Sequence, residues 1–161
     1  MPSQSSMDEA IRAARADDFL RALTLFLDLY GTDDAPPMRT PKDASGLSWF
    51  GLSLALVRKQ IKPAVDLCRR AIELEFYNGD HYANLARVYS AAGNRKKAVE
   101  SAEQGLKLHP EHDYLLRVRE SLGVRAAPAV PFLDRSNPIN VTLGQARHAK
   151  KLAEDEKKNK R

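Results

Sequence analysis

The stretch that decides the fold runs from Gly79 to Pro110 and reads GDHYANLARVYSAAGNRKKAVESAEQGLKLHP. Its first half carries large and small apolar residues at the three- and four-residue spacing of a helix: Tyr82, Leu85, Ala86 and Tyr89. Gly93 and Asn94 interrupt this pattern. The second half continues with spaced small residues: Ala98, Ala102 and Gly105. The stretch therefore predicts two helices joined by a tight turn, a unit that must stack on neighbours to bury its apolar face.

This order of residues resembles the tetratricopeptide repeat (TPR), a helix–turn–helix unit of about 34 residues. The family pattern has a large aromatic residue, then Leu, a small residue, Tyr, a turn Gly, spaced small residues and a closing Pro. The resemblance, to a small bacterial-type TPR protein with about three repeats, implies an all-α fold. It would be a short α-solenoid with a C-terminal capping helix, and 79–112 would be its last repeat.

A second repeat is predicted at 45–78. Its first helix would contain Trp49, Leu52, Ser53 and Leu56, and its second would contain Ala64, Cys68 and Ala71. Trp49 precedes Ala64 by 15 residues, whereas Tyr82 precedes Ala98 by 16. We therefore expect a turn one residue shorter near 58–61, without the usual glycine.

The rest of the chain is predicted from weaker patterns. A degenerate first repeat is expected at about 5–31, as at the end of an array where one face has no neighbour. Pro-rich residues 31–45 predict a loop, and 113–122 predict the capping helix that completes a TPR-like domain over 1–124. Three prolines make 125–140 an extended arm, and 138–161 predict a basic helix that frays into a disordered tail.

Composition limits the class of protein. The chain has 161 residues, 43% of them hydrophobic, and a net charge of +5. Residues 145–161 hold seven Lys or Arg against three Asp or Glu, so most of the excess charge lies in the tail. No apolar run is long enough to span a bilayer. No secretory signal is visible, so a cytoplasmic location is expected.

No catalytic constellation is found, and we expect neither an enzyme nor a cofactor. The glycines are isolated, and Gly51 within a helical pattern is expected to allow close packing. His109 and His112 straddle Pro110, which argues against a metal site on a rigid helix. Cys68 is the only cysteine and is expected to be a small buried hydrophobe.

The resemblance also implies a ligand groove, because the first helices of TPR repeats line a concave face. The family's ligand positions fall one, two and five residues after the large aromatic. They select Phe50, Gly51 and Leu54 in the second repeat, Ala83, Asn84 and Arg87 in the third, and Met7 and Ile11 as nearest equivalents in the first. Phe50 carries most weight as a peptide anchor. The alternative is that the chain's own arm or the first repeat covers it.

TPR grooves that capture a C-terminal carboxylate use a clamp of Lys, Asn and Arg. Asn84 matches the Asn, but Phe50 and Leu54 stand where the clamp has Lys and Asn. A chaperone-tail receptor of that kind is therefore disfavoured. The mixed groove suits a peptide with hydrophobic and acidic residues.

Two further surfaces are candidates. Equivalent turns of the second and third repeats would align six cations in a basic ridge: Arg58, Lys59, Lys62, Arg95, Lys96 and Lys97. Solvated loops are the alternative to a functional ridge. Apolar residues of the arm could dock on the groove and gate it: Val130, Phe132 and Leu133.

The function predicted from these features is a non-catalytic adaptor, scaffold or co-chaperone-like protein that binds a partner peptide in its groove. One alternative is a nucleic-acid- or ribosome-associated accessory protein that uses the ridge and tail, with weak, salt-sensitive binding because stacking aromatics are absent. Another is a secretion-type chaperone. A protein or peptide partner is expected, with no small-molecule substrate and no membrane span.

Overall fold

The computed structural model describes residues 4–30 and 43–123 and, near the C-terminus, residues 137–139, 141–143, 145–146 and 149–150. The chain divides into two compact units, Met1–Val124 and Arg125–Arg161. The described part of the first unit is built from seven α-helices and one π-helical turn. These are α1 (Gln4–Arg15), α2 (Phe19–Tyr30), α3 (Ala44–Ser53), the π turn (Leu54–Arg58), α4 (Ile61–Leu74), α5 (Gly79–Ala91), α6 (Arg95–Leu108) and α7 (Asp113–Ser121).

Consecutive helices pair as hairpins, and the hairpins stack in chain order. Helix α3 packs against α1 and α5, and α5 packs against α7. Among the described residues, no Cα atom of α2, α4 or α6 lies within 8 Å of a Cα atom in another of these three helices. Because the odd-numbered helices touch while these even-numbered ones splay apart, the stack curves with the odd helices on its concave side. The predicted all-α solenoid is confirmed for the described residues.

Side chains on the inner faces of the hairpins form one continuous core. Phe26 and Phe50 are fully buried, with ring centroids 5.2 Å apart, and Tyr30 lies 6.4 Å from Phe50. Full burial of an aromatic or large aliphatic side chain contributes roughly 1.5–3 kcal/mol. The prediction that Phe50 stands on an open groove wall is therefore wrong, because the first hairpin covers it.

The π turn is the main irregularity of the stack. The Lys59 N–H donates to the Leu54 carbonyl, and Lys59 itself has a left-handed backbone with φ of 59°. Gly93, 34 residues later, holds the same place between α5 and α6 with φ of 73°. The two left-handed residues are therefore equivalent. The turn of the second repeat, residues 59–60, is one residue shorter than residues 92–94 of the third and lacks a glycine, so the predicted shorter turn is confirmed. The first helix of the second repeat has one extra residue, which the π turn absorbs.

The extra residue changes which positions correspond in the two repeats. N-terminal to the π turn the offset between repeats becomes 35, so that Gly51 corresponds to Ala86 and Trp49 to Asn84. A Cβ on Gly51 would lie 2.9 Å from the Ala64 carbonyl oxygen, so α3 and α4 pack closely there, as expected for this glycine. The predicted correspondence of Trp49 with Tyr82 is wrong.

The second unit is described only in part. Residues 138–139, 141–143, 145–146 and 149–150 are helical, and the Asn137 side chain accepts from the Ile139 N–H at 3.0 Å, as an N-cap does. Ile139, Val141 and Leu143 are exposed. The predicted arm with Val130, Phe132 and Leu133 lies outside the described residues. No helix in the described ranges is long and apolar enough to cross a membrane.

Candidate functional site

Two stacked aromatic rings join the concave-side helices α3 and α7. Trp49 of α3 and Tyr114 of α7 have ring centroids 5.7 Å apart and planes 14° from parallel. Trp49 is 3% exposed, and its Nε1 has no hydrogen-bond partner among the described residues. An arginine lies near each of the two rings. The Arg15 guanidinium lies 5.8 Å from the Trp49 ring centroid, and that of Arg117 lies 6.0 Å from the Tyr114 centroid.

A buried hydrogen-bond chain holds the three helices behind this stack. The Asn84 Nδ2 donates to the Ser48 Oγ at 2.9 Å, and its Oδ1 accepts from the Tyr114 hydroxyl at 2.9 Å. Asn84 is fully buried. Burial raises the pKa of Tyr114, although nearby Arg87 opposes this, so the hydroxyl remains a neutral donor. The chain joins α3, α5 and α7 and fixes the orientation of the Tyr114 ring.

Arg87 connects this buried chain to the surface. Its Nη1 donates to the Tyr114 hydroxyl at 3.0 Å and to the Asp17 carboxylate at 3.0 Å. The guanidinium also lies 4.9 Å from the centroid of the Phe19 ring. With 27% of its side chain exposed, Arg87 can contact a ligand on the concave face.

Two ion pairs cross the concave face from the first hairpin to α5. Arg15 Nη2 lies 3.1 Å from Asp80 Oδ2, and Arg87 Nη1 lies 3.0 Å from Asp17 Oδ1. The side chains of Arg15 and Asp17 are 58% and 71% exposed. Pairs as exposed as these contribute about 0–1 kcal/mol. The Asp17–Arg87 pair, whose carboxylate is 71% exposed, can therefore open for a ligand carboxylate at small cost.

The predicted groove residues divide between the core and this face. Phe50, Leu54 and Asn84 are fully buried and Met7 is nearly so, which removes them as open contacts for a partner. Ile11 and Arg87 remain partly exposed. The structure adds residues on this face that the sequence pattern missed: Arg15, Asp80, Tyr114 and Arg117. Trp49 is 3% exposed and supports Tyr114 from the core. The 34-residue interval from Lys59 to Gly93 is the signal that aligns Trp49 with the buried Asn84.

The basic-ridge residues all lie at the surface. Two of them also contact the domain itself. The Arg95 Nε donates to the Leu122 carbonyl at 3.1 Å, where α7 ends, and the Lys97 Nζ lies 5.6 Å from the Tyr89 ring centroid. The ridge as a binding site stays a prediction.

Reactive groups are few in the described ranges. Cys68 is fully buried, and burial raises the pKa of its thiol to about 12. His109 and His112 have ring centroids 6.1 Å apart. No group of three or more His, Cys, Asp or Glu side chains able to hold a metal ion is found in the part of the chain that the structure describes.

Solved structures with the same arrangement of helices are TPR domains. The Sgt2 TPR domain from Aspergillus fumigatus is 16% identical, with a TM-score of 0.53 over 84% of this chain and 94% of that one. A thermophilic TPR protein of Thermus thermophilus is 17% identical, with a TM-score of 0.56 over 74% and 63%. The second TPR domain of human RPAP3, in complex with the HSP70 peptide SGPTIEEVD, is 16% identical, with a TM-score of 0.51 over 75% and 94%. No protein-family model matches the sequence. The predicted TPR-like fold is confirmed by these likenesses.

Proposed function

We propose that this protein is a non-catalytic protein-interaction module, an adaptor or scaffold, that binds an extended segment of a partner on its concave face. The observation that carries the proposal is the exposed pair Arg15 and Arg117, whose guanidinium groups lie by the Trp49 and Tyr114 rings. Trp49 is 3% exposed and supports the Tyr114 ring from the core. Aromatic and arginine side chains together are the commonest anchors of protein interfaces.

Charge indicates which segments fit. Arg15, Arg87 and Arg117 face the stack, whereas only Asp17 and Asp80 form ion pairs with them in the described structure. These three arginines therefore outnumber the aspartates paired with them, and Asp17 is held by a weak surface pair. A segment with acidic residues beside an aromatic or aliphatic one matches both features.

This mode differs from a carboxylate clamp built on a free asparagine. Asn84 already donates to Ser48 and accepts from Tyr114 inside the core. The peptide in the RPAP3 complex ends in acidic residues, and this likeness of fold supports a peptide ligand here as well. On the concave face of this chain, arginines rather than Asn84 would contact the acidic groups.

The test begins with random twelve-residue peptides displayed on phage and selected on the full-length chain. We expect acidic peptides with an aromatic or aliphatic residue to be enriched. Their affinity can be followed through Trp49, which is the only tryptophan of the chain. Arg117→Glu should weaken binding by about tenfold or more, because it reverses a charge beside the stack. Lys62→Glu makes the same charge change at an exposed ridge position and should leave the affinity unchanged.

Three outcomes would contradict the proposal: no enriched peptide, enriched peptides without acidic residues, or equal weakening by both variants. Binding that responds to Lys62→Glu alone and disappears with salt would instead favour the ridge and a polyanionic partner. Asp17→Asn is a further variant, for which the opposite effect on peptide affinity is expected. It releases Arg87 from its ion pair and should raise the affinity for acidic peptides by a few-fold.

A further inference from the structure

The outer side of the stack holds a cavity of about 510 Å³ between α4 and α6. These two helices do not approach each other within 8 Å at any pair of Cα atoms in the described chain, and α5 forms the floor between them. The cavity lies on the face of α5 opposite Asn84 and Arg87. The cavity is therefore separate from the concave face, and its role does not depend on the function proposed for that face.

The floor is the apolar stripe of α5 that defines the repeat. Tyr82, Leu85 and Tyr89 are largely covered but border the cavity, and Ile72 of α4 lies beside them. From Tyr82 to Tyr89 the helix rises about 10 Å. An extended chain covers that distance with about three residues.

The cavity exists because the inner side of α6 carries only small residues. Ala98, Ser101, Ala102 and Gly105 are its buried positions. A Cβ on Gly105 would lie 2.7 Å from the Tyr82 Cβ, so α6 packs closely on α5. No large side chain at these positions can therefore reach over the tyrosines and fill the space beside α4.

Two cations converge on Tyr89 at one end of the cavity. The Arg69 Nη2 donates to the Tyr89 hydroxyl at 2.9 Å, and the Lys97 Nζ lies 5.6 Å from the ring centroid. Within the described ranges neither side chain has a carboxylate oxygen within 4.0 Å, in contrast to Arg15 and Arg119, which both form ion pairs. Glu73 and Glu100 line the same walls but form no ion pair with these two cations, so both cations can donate to an anionic group attached to an apolar one.

We propose that this cavity is a second protein-binding site, which takes a short extended segment of a partner with an aliphatic side chain next to an acidic one. The aliphatic side chain lies on Leu85 and Ile72, and the carboxylate accepts hydrogen bonds from Arg69 and Lys97. Glu73 and Glu100 stand on the same walls and limit the affinity for such a segment by repulsion. The protein then has one binding site on each side of α5.

The probe is the blocked tripeptide N-acetyl-Leu-Asp-Leu-amide, titrated into the ¹⁵N-labelled full-length chain to about 20 mM, enough to fill a millimolar site. Amide NMR signals of 82–89 and 97–104 should shift in a saturable way. The matched tripeptide with Asn in place of Asp should bind about tenfold more weakly, because it lacks the charge.

Substitutions of residues that line the cavity test where the carboxylate of the tripeptide binds. Lys97→Gln and Arg69→Gln should each weaken binding of the Asp tripeptide by about tenfold. Their neighbours Lys96→Gln and Arg70→Gln remove the same charges at exposed positions outside the cavity and serve as matched controls. Glu100→Gln should strengthen binding by a few-fold, since it removes a repulsive charge three residues from Lys97. Arg117→Glu, on the concave face, should have no effect.

The proposal is overturned if the cavity amides do not shift, or if the Asp and Asn tripeptides bind equally. It is also overturned if the control variants weaken binding as much as the wall variants. Shifts at Trp49 and Tyr114 instead of the cavity would assign the tripeptide to the concave face. That result would leave the proposed function standing while removing the second site.

Discussion

The second and third helical hairpins share one fold, but their first helices turn side chains from different sequence positions toward the concave side. In the third, α5 runs as a regular helix and turns at Gly93. In the second, α3 passes through the π turn before it reaches the equivalent Lys59. Each residue before the π turn is thereby shifted one position relative to the regular repeat. Trp49 and Phe50 are both buried, but Trp49 therefore packs against Tyr114 of α7, whereas Phe50 packs against Phe26 and Tyr30 of the first hairpin.

This difference teaches that functional positions cannot be transferred from one repeat to the next by sequence spacing when a helix of one repeat contains an extra residue. One residue rotates a side chain by about 100° around an α-helix, which is enough to change the helix that a buried side chain packs against. The π turn keeps the hairpin intact while it makes that change. The predictions below test the shifted register, from the largest expected effect to the smallest.

The largest effect is expected from truncating the residue that the shift buries. Phe50→Ala should lower the free energy of unfolding by about 3–5 kcal/mol, because it leaves a cavity against Phe26 and Tyr30. This loss of stability can be measured by urea unfolding followed by circular dichroism. Phe76→Ala is the matched control: Phe76 is 63% exposed, so the same truncation should cost about 0.5 kcal/mol or less. Equal effects of the two substitutions would refute the shifted register.

Most of the fold could be predicted from the sequence, because helical spacing and turn residues are local signals. Tyr82, Leu85 and Tyr89 lie on one buried stripe, as their spacing indicates. The concave site could be predicted only in part. The pattern places Arg87 on the concave side because its helix is regular, and it places Trp49 in the core, where Trp49 is 3% exposed. It does not predict the neighbours of Trp49, because small and aromatic residues fit two registers equally well.

Contacts between distant repeats were beyond any local pattern. The Asp17–Arg87 and Arg15–Asp80 pairs join residues that are 70 and 65 positions apart. Tyr114 reaches Trp49 from a helix that the sequence indicates only as a cap. Such pairs depend on the curvature of the stack, which helix spacing alone does not specify.

A second prediction concerns whether Gly51→Ala raises or lowers the free energy of unfolding. Intrinsic helix propensity alone would make Gly51→Ala stabilising by about 1 kcal/mol. In the observed register the new methyl group would meet the Ala64 carbonyl oxygen at 2.9 Å and the Leu67 Cβ at 3.1 Å. Overpacking of this kind costs about 1–3 kcal/mol. We therefore expect a net loss of about 1 kcal/mol in urea unfolding.

The equivalent position of the third hairpin supplies the control for that change. Ala86 already carries the methyl group and is fully buried. Ala86→Gly should destabilise by about 1 kcal/mol through helix propensity. If Gly51→Ala instead stabilises the protein, α3 and α4 are not packed in the observed register.

The smallest effect is expected at the turns that establish the equivalence of the two hairpins. Lys59 holds a left-handed conformation that costs a non-glycine residue about 1–2 kcal/mol. Lys59→Gly removes this strain but increases the entropy of the unfolded chain, so a net stabilisation of about 0.5 kcal/mol is expected. Gly93→Lys, where no atom lies within 4 Å of an added Cβ, should destabilise through the backbone alone by about 1 kcal/mol. Paired urea titrations measure both, and effects of the same sign would mean that the two turns differ in conformation. Opposite signs would show that Lys59 and Gly93, which are 34 residues apart, hold equivalent positions in the two turns. The extra residue of the second hairpin would then lie inside its first helix.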